Sequence, residues 1–90
     1  MIYLDSVPKN TPDVIGRNLD QEAVLVLTTK AQIKVVNEVG AFIWSQVDGS
    51  RTIREIASRV SQEYDVDQEQ SEADTLEFIV ELANRGIVLI

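Results

Sequence analysis

The feature that most constrains this chain is a change of period at Asn37. Before it, apolar residues alternate or cluster in short β-branched runs; after it, they recur every three or four positions. "VIGRNL" (14–19) reads as a strand interrupted by Gly16, and "EAVLVL" (22–27) as a better one, entered through an Asp20-Gln21 turn. After a second turn over Thr28–Ala31, "QIKVV" (32–36) alternates. It sets Ile33 and Val35 on one face and Gln32, Lys34 and Val36 on the other. Three short strands joined by short turns predict an antiparallel meander. Pro8 and Pro12 mark residues 1–13 as an extended, loosely fixed lead-in.

Asn37 is an N-cap type, and Val39, Phe42, Ile43 and Val47 follow at helical spacing with Trp44 beside them, up to a stop at Asp48-Gly49. Trp44 is expected to be largely buried. Thr52 and Glu55 form a capping box, and Ile53, Ile56, Ala57, Val60 and Tyr64 make one apolar stripe of a second helix. Asp67 with Gln70 opens a third helix running to Arg85, and Gly86 supplies a left-handed stop. The closing "IVLI" is too short to stand alone and is expected against the core as a last strand or tail. Strands followed by helices predict an α+β domain with the helices on one side of a small sheet.

Ninety residues fit one domain. The chain holds no Cys and no His. That removes thiolate nucleophiles, disulfides, tetrahedral thiolate zinc sites and the commonest general base at neutral pH. The expectation is a chain that is not an enzyme, with no catalytic residue, bound metal or cofactor. No apolar run approaches the ~20 residues of a membrane span, and no signal-peptide pattern opens the chain. No membrane partner and a cytoplasmic location are therefore expected. Net charge is −7, and residues 67–85 carry six carboxylates against Arg85 alone. A turn, capped helix and second turn over residues 48–66 fit a helix-turn-helix reader of DNA. The acidic third helix opposes one, because DNA binding needs Lys and Arg among the phosphates. No nucleic-acid partner is expected.

On a wheel of 100° per residue, Thr75, Phe78, Ile79 and Leu82 of the third helix share one arc, and Ala73, Leu76, Val80 and Ala83 the next. That sector exceeds the ~100° stripe a helix needs to seat on a core. Two arrangements remain open. Either "IVLI" covers the second flank, or that flank lines a groove for a partner, where a peptide could add a strand and drop side chains into pockets.

The segments "VVNEVGAFIWSQVDGSRTIREIASRVSQEYDV" and "ADTLEFIVELANRGIV" resemble the PqqD-like family, the fold of coenzyme PQQ biosynthesis protein D. The resemblance rests on Asn37, Gly40-Ala41, Ile43-Trp44, Asp48-Gly49, Thr52-Ile53, Glu55-Ile56, Tyr64, Asp74, Phe78-Ile79, Leu82 and Gly86-Ile87, over about residues 22–88. It implies a winged-helix-like domain over residues 14–90, with three antiparallel strands and three helices. It also implies a precursor-peptide recognition element. The leader segment of a ribosomally made peptide adds antiparallel to the third strand, against the third helix. The domain presents it to a separate modifying enzyme, such as a radical SAM protein or a leader peptidase. The family's recurrent apolar positions map onto Thr75, Phe78, Ile79 and Leu82, which should face the core. The candidate peptide-binding residues are then Gln32, Ile33, Lys34, Val35 and Val36 with Ala73, Leu76, Val80 and Ala83. Thr75 departs from the family's usual aliphatic residue, and Lys34 and Val35 stand where aromatic residues are frequent. A winged-helix DNA-binding regulator and a structural subunit of a modification enzyme are the alternative readings.

Overall fold

A computed structural model describes all of residues 1–90. Its elements run β1 (Lys9–Asn10), β2 (Val14–Leu19), β3 (Glu22–Leu27), β4 (Gln32–Val36), α1 (Glu38–Ser45), α2 (Ile53–Tyr64), α3 (Gln68–Asn84) and β5 (Val88–Leu89). The three longer strands form an antiparallel sheet in the order β2-β3-β4. The expected meander of three strands followed by three helices is the observed architecture. Asp20 (φ 53°) and Ala31 (φ 51°) take left-handed conformations in the two hairpin turns.

Strand alternation divides the sheet into two faces. Ala23, Leu25, Leu27 and Val36 are buried against Ile43, Ile53, Ile56, Val60, Ile79 and Leu82 of the helices. Ile15, Ile33 and Val35 stand on the other face, exposed. All helices therefore lie on one side. α1 packs on β3, β4 and α2, while α3 packs on α2 and β5. Ser71 Oγ donates to Ala57 O (2.7 Å) in the buried seam between α2 and α3.

The helix starts follow the caps read from sequence. Asn37 Oδ1 accepts from Gly40 N–H at 2.9 Å. Glu55 N–H donates to Thr52 Oγ1 (3.1 Å) and Thr52 N–H to Glu55 Oε1 (2.8 Å). Asp67 Oδ2 accepts from Gln70 N–H (3.2 Å), and Gly86 ends α3 with φ 77°. α1 stops three residues short of the expected Asp48. The Ser45 hydroxyl takes the Phe42 carbonyl (2.6 Å), and Arg51 Nη1 takes that of Gln46 (3.1 Å). The last amides turn to nearer acceptors, Gln46 N–H to Ile43 O (3.0 Å) and Val47 N–H to Trp44 O (3.1 Å), which closes the helix.

The lead-in is not loose. β1 pairs with β5, Pro8 is buried, and Ser6 O and Leu4 O accept from Ile53 N–H (3.0 Å) and Arg54 N–H (2.9 Å). Those amides open α2 and have no acceptor within their own helix. The lead-in thus caps α2 with main-chain carbonyls. Trp44 is partly buried and packs against the core. No helix is long and apolar enough to cross a membrane.

Candidate functional site

β4 lies at the edge of the sheet. Thr28 N–H donates to Asp13 O (3.0 Å), one step beyond the Val14–Leu27 pair. Residues along an antiparallel strand turn their main-chain groups to alternate sides. Thr28, Val26 and Val24 therefore face β2, while Leu27, Leu25 and Ala23 face β4. The partners of the latter are Gln32, Lys34 and Val36. Ile33 and Val35 accordingly turn N–H and C=O to the open side of the sheet. Their side chains stand on the outer face, 64% and 57% exposed.

Beneath this edge runs a groove of about 220 Å³, lined by Lys34, Val35, Val36 and Asn37 with Phe78 and Glu81 from α3. Phe78 forms its apolar wall and packs partly on the core. Gly40 makes this approach possible, because a Cβ there would stand 3.1 Å from the Phe78 ring and 3.0 Å from Val36 Cβ. Farther along, Lys34 reaches from the inner face of β4 to Glu81 (Nζ–Oε2 2.5 Å), and Arg85 Nε lies 3.8 Å from the same carboxylate. Hydrogen bonding from Lys34, with the charges of Lys34 and Arg85, holds the Glu81 carboxyl below its usual value. One ion pair bridges the groove in place of packed side chains.

Three contacts fix the direction of α3. Phe78 lies by Val36 and Gly40, Glu81 by Lys34, and a Cβ on Gly86 would lie 3.8 Å from Lys30 Nζ and 3.7 Å from Leu27 Cδ2. α3 therefore runs antiparallel to β4.

Of the residues expected to bind peptide, Gln32, Ile33, Lys34, Val35 and Val36 form this edge. Ala73, Leu76, Val80 and Ala83 do not line the groove. Leu76 packs against the core, Val80 and Ala83 are half-buried, and Ala73 is exposed. On the wheel they fall on the opposite side of the buried Ser71–Thr75–Ile79–Leu82 stripe from Phe78 and Glu81. Phe78, expected to face the core, packs against it and also walls the groove. Apolar character alone did not point to this wall of the groove, because the wall is mixed, one aromatic and one carboxylate. The available signal was Lys34, an inward-facing charge on a strand whose neighbours are apolar, which requires an acidic partner.

This fold and edge define a small α+β domain with an open strand edge beside a helix. The sequence matches the family described as coenzyme PQQ synthesis protein D (PqqD) over residues 22–88, and the chain belongs to that family. Among solved structures it is similar to "TbiB1 in Complex with the TbiA(beta) Leader Peptide", with 29% identity and a TM-score of 0.81 over 89% of this chain and 93% of that one. It is also similar to "Lasso peptide synthetase B1 complexed with the leader peptide", with 19% identity and a TM-score of 0.82 over 94% of this chain and 100% of that one. A third is the PqqD truncation of Methylobacterium extorquens PqqCD, described as a stand-alone recognition element for ribosomally synthesized and post-translationally modified peptides. It gives 24% identity and a TM-score of 0.84 over 100% of this chain and 96% of that one. The last two likenesses concern the fold. No curated protein matches the chain.

Proposed function

We propose that this chain is a non-catalytic adaptor that captures the leader segment of a ribosomally made precursor peptide and presents it to a separate modifying enzyme. The observation that carries the reading is the open edge of β4, where the amides and carbonyls of Ile33 and Val35 face outward above the Phe78–Glu81 groove. Strand addition needs such a row of free main-chain groups for affinity and pockets beneath it for register. The PqqD membership and the leader peptide in the TbiB1 complex support it.

The register follows from the edge. A peptide laid antiparallel along β4 exchanges hydrogen bonds with Ile33 and Val35, and its residues opposite these two point to the outer face. Those opposite Lys34 and Val36 point into the groove. The one opposite Val36 meets Phe78 and favours an apolar side chain; the one opposite Lys34 meets the Lys34–Glu81 pair. The enzyme partner is of the kind such elements serve, a radical SAM protein or a leader peptidase.

The test is titration of isotope-labelled protein with the leader segment of a short precursor peptide encoded beside this chain's gene. The largest amide shifts are expected at Ile33 and Val35 and along the Phe78 turn of α3. Shifts confined to the opposite face of α3, or to β2, would sink strand addition at β4.

A further inference from the structure

Charge is distributed unevenly around the groove. Asp74, Phe78, Glu81 and Arg85 lie at i, i+4, i+7 and i+11, one stripe of α3, with Glu77 beside it one turn before Glu81. Asp74 and Glu77 make no ion pair; the Asp74 carboxylate only accepts the Gln70 amide at 2.9 Å. Both are exposed and outside the groove's lining; because α3 runs antiparallel to β4, their turns lie toward the C-terminal end of β4. At the other end, Lys30 makes no ion pair, while Lys34 and Arg85 share the single carboxylate of Glu81. The surroundings of the groove are thus negative toward the end of β4 and positive toward its start, with the Lys34–Glu81 pair in the groove between them.

We infer that the site selects peptides by charge polarity, with basic residues preceding the strand-forming stretch and acidic residues following it. The inference rests on the strand-addition reading and adds direction to it. The sheet is antiparallel throughout, and antiparallel pairing is the more stable per residue. A peptide added in that sense runs parallel to α3. Its N-terminal part passes Asp74 and Glu77, and its C-terminal part passes Lys34, Arg85 and Lys30. Exposed ion pairs contribute little each. Two at each end bias both orientation and register, because a slipped or reversed peptide sets like charges together.

Two acetylated, amidated peptides of identical composition test this. One carries Lys-Lys before and Asp-Asp after a Thr-Val-Thr-Val-Thr core, and the other carries the same pairs exchanged. Titrated into the labelled full chain at low salt, the Lys-first peptide should bind roughly threefold to tenfold tighter. The advantage should shrink as salt is raised. In an Asp74→Lys, Glu77→Lys variant it should vanish or reverse. If the two peptides bind alike, or the Asp-first peptide binds tighter, while the Ile33 and Val35 amides still shift, charge polarity is wrong and strand addition stands. If neither peptide moves those amides at millimolar concentration, both readings fall.

Discussion

At Gly16 a Cβ would stand 2.3 Å from Cη2 of Trp44, so the indole occupies the space a side chain would need on the inner face of β2. Gly16→Ala should cost about 1–3 kcal/mol through overpacking. In a Trp44→Leu background most of that cost should disappear, and urea denaturation of the four proteins measures the coupling. Equal costs in both backgrounds would show that the contact is not what excludes the side chain. Thr75 poses the opposite case. It is fully buried, and its hydroxyl has no hydrogen-bond partner. A buried hydroxyl without a partner is costly, so Thr75→Val should raise stability by about 1 kcal/mol in the same assay. A loss of stability would mean the hydroxyl is satisfied in solution. Glu81 supplies a pH dependence. Its carboxyl is held below its usual value by Lys34, and those of Asp48 and Glu55 are lowered by hydrogen bonds from Ser50 and Thr52. Groups of this kind stabilise the fold above the unfolded carboxylate pKa of about 4.3. They lose that contribution as pH falls through their lower folded values. The urea midpoint should therefore decline below about pH 4, and less steeply for Glu81→Gln. Parallel curves for the two proteins would remove Glu81 from this account.

At the scale of elements, alternation along β4 separates two neighbouring substitutions. Val35 turns its amide to the open edge, so Val35→Pro should leave the β3–β4 ladder in place and abolish peptide binding. Proline is tolerated on an edge strand whose N–H faces solvent. Lys34→Pro removes an amide engaged with Leu25 and should destabilise the sheet itself. Thermal melts paired with leader titration tell them apart, and a Val35→Pro protein that binds leader normally would contradict the assigned edge. Much at this scale was legible in the sequence. The three long strands, the Asn37, Thr52 and Asp67 caps and the Gly86 stop all follow from local chemistry, where a residue type answers a backbone need within four positions. The helical wall of the groove was not legible. A wheel shows which side of α3 is apolar but not what stands opposite, and Leu76 and Val80 look the same whether tail or peptide covers them. Phe78 was assigned to the core although it serves both core and groove. The hold of Leu4 and Ser6 on α2 was hidden for another reason, since main-chain carbonyls leave no side-chain pattern.

For the molecule as a whole, the lead-in and the tail depend on each other. Removing residues 1–10 deletes β1, the buried Pro8 and two acceptors for the first turn of α2. The truncated protein should retain its three-stranded sheet and melt at lower temperature. Amide exchange at Val88 and Leu89 should quicken more than at Leu25. Uniform acceleration across the chain would show that the lead-in belongs to the global folding unit and not to a local one. A last consequence follows from the open edge of β4, in colloidal terms. An edge strand open on one side and carrying exposed Ile33 and Val35 is a template for any extended chain, a second copy included. Lys34 turned inward and a net charge of −7 hold identical copies apart. Acidification removes that repulsion while the edge persists. Turbidity should then rise toward the carboxylate pKa range in the empty protein, and a bound peptide, by occupying the edge, should suppress it.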